Sequence, residues 1–202
     1  MLKIAFIVRT KIFVILLIMG TLFNSCRTMR EAKTLSKCEF KLNSLEKPVL
    51  AGVKLYEIEK FSDLTMKDLG KVTSSFAKGE LPLEFQLNLE VKNPNKKKAA
   101  VNRIEWIAWI DDVEICQGQL EERMEVNPMG GTAIIPLKIK TDLTESLTGE
   151  SAIVLVNFAL NLADASNYPT RLKLHIKPTI SFGKKMITYP GFIKVNREFS
   201  SE

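Results

Sequence analysis

The sequence predicts a mainly β sandwich preceded by an export leader, and three observations carry that prediction. Beyond residue 37, apolar residues recur at every second position over most of the chain, the period of strands with one buried and one solvated face. Turn signals built from Pro, Gly and Asn interrupt the alternation at short, regular spacing. The composition, 46% hydrophobic and 26% charged over 202 residues, is that of a globular protein and excludes disordered, collagenous and polytopic membrane chains. Such a chain suits one domain after a short leader, burying roughly 70% of its unfolded surface.

Lys3, Arg9 and Lys11 form a basic region ahead of an unbroken apolar run at 12–19. The apolar stretch extends only to Phe23, short of the roughly 20 residues a transmembrane helix needs, so residues 1–25 read as a signal peptide. Ser25-Cys26 resembles the lipobox of bacterial lipoproteins, with Phe23 and Asn24 departing from the usual Leu-Ala/Ser-Gly/Ala-Cys order. That resemblance implies an acylated Cys26, and several acyl chains on one residue anchor stably. Residues 26–36 then form a polar tether and 37–202 the folded domain. The competing readings are an uncleaved N-terminal anchor or plain secretion. No acidic cluster of the kind that resembles the surface-export signal of some Bacteroidota lipoproteins follows Cys26, and that resemblance implies an outer- or inner-membrane lipoprotein facing the periplasm.

Losing the three basic leader residues lowers the net charge from +6 to +3, no footprint for nucleic acid. Beyond Cys26 the chain has Cys38 and Cys116, either two buried thiols or one disulfide that an exported compartment permits.

Taken in order, Cys38, Phe40 and Leu42 alternate with charged residues as a half-buried strand, and residues 48–59 hold a second. Ser62 or Asp63 is placed to cap a helix whose Leu64, Leu69 and Val72 bury one side, ending near Gly79. Residues 81–91 alternate without a fault, a long strand with one solvated face. Asn93-Pro94-Asn95 stops it, since proline cannot donate to a ladder and asparagine tolerates a left-handed turn. Further strands follow at 101–110, 113–124 and 133–139. Asp111-Asp112 sits at a tight hairpin turn and residues 127–131 at the next. Residues 142–165 switch to helical period, with Leu143, Leu147, Val154, Phe158 and Leu162 on one stripe. Strands at 171–182 and 186–199 complete the chain.

The series NLEVKNPN, IEWIAWIDD, ICQGQ and NPMGGTAIIPLKI resembles the late embryogenesis abundant type 2 family, also called the WHy domain, in the lipoprotein form of Bacteroidota. The matching residues are Asn93, Pro94, Asn95, Trp106, Asp111, Gly118, Gly131, Thr132 and Pro136, from a likeness spanning about 40–177. Asp112 departs from it, standing where the family usually has glycine. The resemblance implies an immunoglobulin- or fibronectin III-like sandwich with one or two inserted helices. It also implies an association with stress or desiccation, membrane proximity and no catalytic site.

Candidate chemistry is sparse. His175, the only histidine, shares a strand face with Lys173 and Lys177 and is expected to be solvated, so a serine triad or a cysteine–histidine pair lacks a base. No zinc or calcium ligand pattern and no phosphate loop is present, and no cofactor or metal is expected. The pairs Asp111-Asp112 and Glu121-Glu122 are neighbours rather than carboxylates facing across a cleft. Lys96, Lys97 and Lys98 crown the loop after Asn95, either as a solvated loop tip or as a surface that touches anionic head groups. Trp106 and Trp109 lie three apart on one strand, so one belongs to the core and the other to the outside. The expected function is therefore binding or scaffolding near a membrane, without catalysis, the partner being a protein, an envelope polymer or a lipid. Two alternatives are a hydrophobic-ligand carrier lidded by the helix at 142–165, and a fibre or adhesin subunit that exchanges a strand.

Overall fold

The computed structural model describes residues 34–35, 37–58, 61–144, 150–162, 169–182 and 185–199. Two antiparallel sheets pack face to face. One has the order β2-β1-β3-β8, from Val53–Lys54, Glu39–Leu50, Pro82–Asn93 and Gly131–Asp142. The other runs β10-β9-β5-β6, from Lys185–Thr188, Thr170–Phe182, Arg103–Ile110 and Val113–Leu120, with β11 (Ile193–Phe199) also pairing with β9. β4 (Ala99–Val101) and β7 (Met124–Val126) form a small ladder beside them. β8 joins the first sheet after the chain has passed through β5 and β6 of the second, and β9 then returns to the second, the crossing of an immunoglobulin- or fibronectin-like sandwich. The fold expected from the alternation is the one observed.

The alternation fills the core directly. Leu83, Phe85, Leu87, Leu89 and Val91 of β3 meet Ile104, Trp106, Ala108 and Ile110 of β5, all buried. Leu172, Leu174 and Ile176 of β9 and Ile135, Leu137 and Ile139 of β8 complete both inner faces. The two-residue hairpin at Asp111-Asp112 forms as expected, with Ile110 opposite Val113 and Asp111 at φ +50°. The Asp111 carboxylate accepts from the Arg171 backbone N–H at 2.9 Å, fastening the turn to β9.

Several boundaries differ from the sequence expectation. The strand expected at 48–59 is the end of β1, a tight turn at Ala51-Gly52 (φ +47° and +76°) and the two-residue β2, followed by a 3-10 turn at Leu55–Glu57. Ala51 donates to Pro82 O at 2.8 Å, so the neighbouring strand supports a turn that alanine alone disfavours. The first helix, α1 (Met66–Ala77), is capped by Thr65 rather than Ser62 or Asp63. Thr65 Oγ1 accepts from Asp68 N while Asp68 accepts from Thr65 N, a reciprocal box. No residue of α1 is buried: Leu64 and Val72 are half-buried, Leu69 is 39% exposed and Phe76 58%.

The third difference is at Asp142, expected to open a helix. It ends β8 instead, paired with Pro82. Its carboxylate accepts from Leu81 N at 3.0 Å and from Thr144 N at 2.9 Å. The second helix, α2, spans Glu150–Leu162 and buries Leu155 and Phe158, the latter edge-on to Phe85 at 6.2 Å. Asn157 and Asn161 both donate to the buried Thr170 Oγ1, tying α2 to the start of β9. The strands expected at 113–124 and 186–199 are each divided, into β6 and β7 and into β10 and β11.

Candidate functional site

Asn93 ends β3 with its side chain fully buried. Its Nδ2 donates to Lys97 O at 2.8 Å and to Val126 O at 3.1 Å. Its Oδ1 accepts from Asn95 N at 3.1 Å and Asn95 Nδ2 at 2.8 Å. One amide therefore joins β3, the lysine loop and β7 with its donors and acceptor satisfied. Gly130 N donates to Asn93 O, and Met129 N to Asn95 O, each at 2.8 Å, so the 127–131 turn closes on the same knot. Gly131 allows that closure, since a Cβ there would stand 2.6 Å from Asn127 O.

Asn95 reaches the other way. Its Nδ2 donates to Thr34 O at 2.9 Å, pinning the beginning of the described chain to this end of the sandwich. Leu35 is buried beside Pro178, Ile180 and Tyr189, where a cavity of about 140 Å³ opens. That volume lies below the roughly 300–1,000 Å³ of small-molecule pockets. Lys96 and Lys97 project from the loop as exposed side chains, whereas Lys98 pairs with Glu125 at 2.9 Å. Glu125 also takes Arg123, and hydrogen bonds from Lys98 and then Arg123 hold its carboxyl below the ordinary carboxylate range.

The other motif residues are structural. Trp106 is the inward tryptophan and lies across from Gly118, where a Cβ would stand 2.3 Å from the indole ring. The glycine is the space the indole fills. Pro136 is exposed on β8, an edge strand of its sheet, where a missing N–H is tolerated. Trp109 is the outward tryptophan. His175 is also on the outer face but is not simply solvated: it lies half-buried between the rings of Trp109 and Phe192. Burial first, then the Lys194 and Lys173 ammoniums, push its pKa below the ordinary value. The sequence reading missed Phe192 and Thr34, whose roles arise from long-range packing with no local signal.

Cys38 and Cys116 are both free and half-buried. Burial, aided by Glu39 and Glu114 respectively, pushes the thiols up to about 11 and about 12, away from the thiolate form that reactivity needs. Among the described residues, no three His, Cys, Asp or Glu side chains gather as a metal site. Among the same residues no helix is long and apolar enough to cross a membrane. Cys26 and the leader lie outside the described residues, as does Leu147 of the expected helical stripe.

No family model and no curated protein matches the chain. Among solved structures it is similar to a protein from Archaeoglobus fulgidus, at 16% identity and TM-score 0.36 over 60% of this chain and 86% of that one. It is similar to an Arabidopsis thaliana protein solved in solution, at 15% identity and TM-score 0.41 over 58% and 70%. A third is described as a late embryogenesis abundant protein, at 12% identity and TM-score 0.40 over 96% and 86%. At these scores none bears on what the chain does.

Proposed function

We propose that the chain is a non-enzymatic, lipid-anchored envelope protein whose sandwich is a binding and scaffold module of late embryogenesis abundant type 2 kind. The observation that carries this reading is the Asn95–Thr34 hydrogen bond, which brings the tether and the lysine loop to one end of the domain. Thr34 lies eight residue steps beyond Cys26, a reach of at most about 28 Å. An acylated Cys26 would keep Lys96 and Lys97 within tether reach of the head groups, and each would contribute about 1 kcal/mol where it meets an anionic surface. The opposite end and the outer sheet faces stay free for a partner in the periplasm.

Fractionation of cells expressing the full chain tests the reading. Cys26→Ala is expected to leave the membrane fraction, and Lys96→Glu with Lys97→Glu to weaken association with anionic vesicles while leaving acylation intact. A Cys26→Ala chain that stays in the membrane, uncleaved, overturns the lipid anchor.

A further inference from the structure

The outer face of the five-stranded sheet carries a row of rings where a solvated face usually carries only polar groups. Trp109 projects outward from β5, and its ring lies 5.8 Å from that of His175 on β9, tilted by 38°. The His175 ring in turn lies 6.1 Å from that of Phe192, which is 44% exposed just before β11. The row thus crosses from β5 over β9 to the far edge of the sheet. Lys177 Nζ sits 5.7 Å over the Phe192 ring. Trp109 Nε1 is buried without a hydrogen-bond partner, a penalty that phenylalanine at the same place would avoid. The Trp109 ring is half-buried beside His175, its remaining surface facing outward from the sheet.

Polar groups border the row on every strand. The register sets Lys194 beside His175 and Asn196 beside Lys173 on one flank. It sets Gln117 beside Ile107, Gln119 beside Glu105 and Glu114 beside Trp109 on the other. A protein partner favours an apolar centre depleted of charge, which this interleaving does not offer. A sugar ring has the complementary chemistry, an apolar C–H face with hydroxyls around its edge. The sign of the charge narrows the choice. Glu105 is taken by Arg103, and Lys173 by Asp112, while Lys177, Lys194 and the Glu114 beside Trp109 form no ion pair among the described residues, two free cations against one free anion. We propose that this face binds an acidic polysaccharide chain, its sugar rings stacking on Trp109 and Phe192 and its anionic groups meeting Lys177 and Lys194. The proposal stands apart from the lipid anchor and survives its failure.

Tryptophan emission of the full chain in detergent micelles, titrated with a galacturonate oligomer, tests it, because Trp109 is at the site and Trp106 in the core. A saturable change is expected, with affinity falling about tenfold in Phe192→Ala and again in the pair Lys177→Ala, Lys194→Ala. Calorimetry on Trp109→Leu and Trp109→Phe gives a readout free of the reporter, and the phenylalanine variant is expected to fold normally and bind more weakly. No saturable response overturns the proposal, as does one that Phe192→Ala and the lysine variants leave unchanged. Equal binding of neutral cellohexaose overturns its acidic specificity, and tighter binding of oligothymidylate replaces the glycan with a nucleic acid.

Discussion

β3 runs the length of the sandwich, and its two ends are closed by opposite devices. At the Asn93 end a neutral, fully buried amide ties three segments together. At the Pro82 end an exposed carboxylate, Asp142, gathers backbone N–H groups from the start of β3 and the chain after β8, and the water-facing helix α1 follows β2. The difference teaches where stability resides. A buried hydrogen-bonding group leaves its partners unsatisfied when it is lost, whereas water replaces an exposed one.

The largest expected effect therefore falls at Asn93. Asn93→Ala strips partners from Lys97 O, Val126 O and Asn95 N together, and is expected to lower unfolding free energy by about 3 kcal/mol, measured by urea denaturation. It should also release Thr34, seen as faster amide exchange at residues 34–38. A loss as small as that of an exposed contact would erase the contrast between the ends.

Next comes Asp142 at the other end. Asp142→Ala is expected to lower stability by about 1 kcal/mol. Hydrogen bonds from Thr144, then from Leu81, hold this carboxyl below the ordinary value. Its contribution is thus present above the ordinary carboxylate pKa and lost as pH falls through the lowered one. Denaturation of the wild type and Asp142→Asn should accordingly converge between neutral pH and strongly acidic pH. Parallel curves would mean that the carboxylate charge plays no part in closing this end.

How far each end was legible in the sequence follows from the same physics. The core was readable because burial and strand period are one signal, as at residues 81–91. Asn93-Pro94-Asn95 announced a turn, but asparagines in turns are normally wet, and the buried knot depends on Lys97, Val126 and Thr34, remote or unmarked in the sequence. The helical period read from residue 142 onward gives no sign that the Asp142 carboxylate collects N–H groups at a strand end, because one of those donors, Leu81, is remote in sequence. Gly118 and Trp106 were legible as separate motif residues; only strand register shows that one is the space for the other.

A smaller effect is expected at α1. Thr65→Ala removes the reciprocal cap and should cost about 1 kcal/mol of local helix stability, visible as faster amide exchange over 66–77. Because the helix buries no residue, global unfolding in urea should move less than that exchange does. Equal shifts in both would show that α1 folds as one unit with the sheets.

The smallest effect sharpens the comparison most. Phe76 points its ring into water at 58% exposure, so Phe76→Ala is expected to change stability by less than about 0.5 kcal/mol, against the 3–5 kcal/mol that a buried phenylalanine costs on truncation. Phe158→Ala provides that buried reference, since Phe158 is fully enclosed and touches Phe85. If thermal denaturation of the full chain gave the two variants similar losses, Phe76 would be covered in the intact protein. The far end would then be packed rather than open, and its helix would have a neighbour that Met66, Leu69 and Phe76 jointly contact.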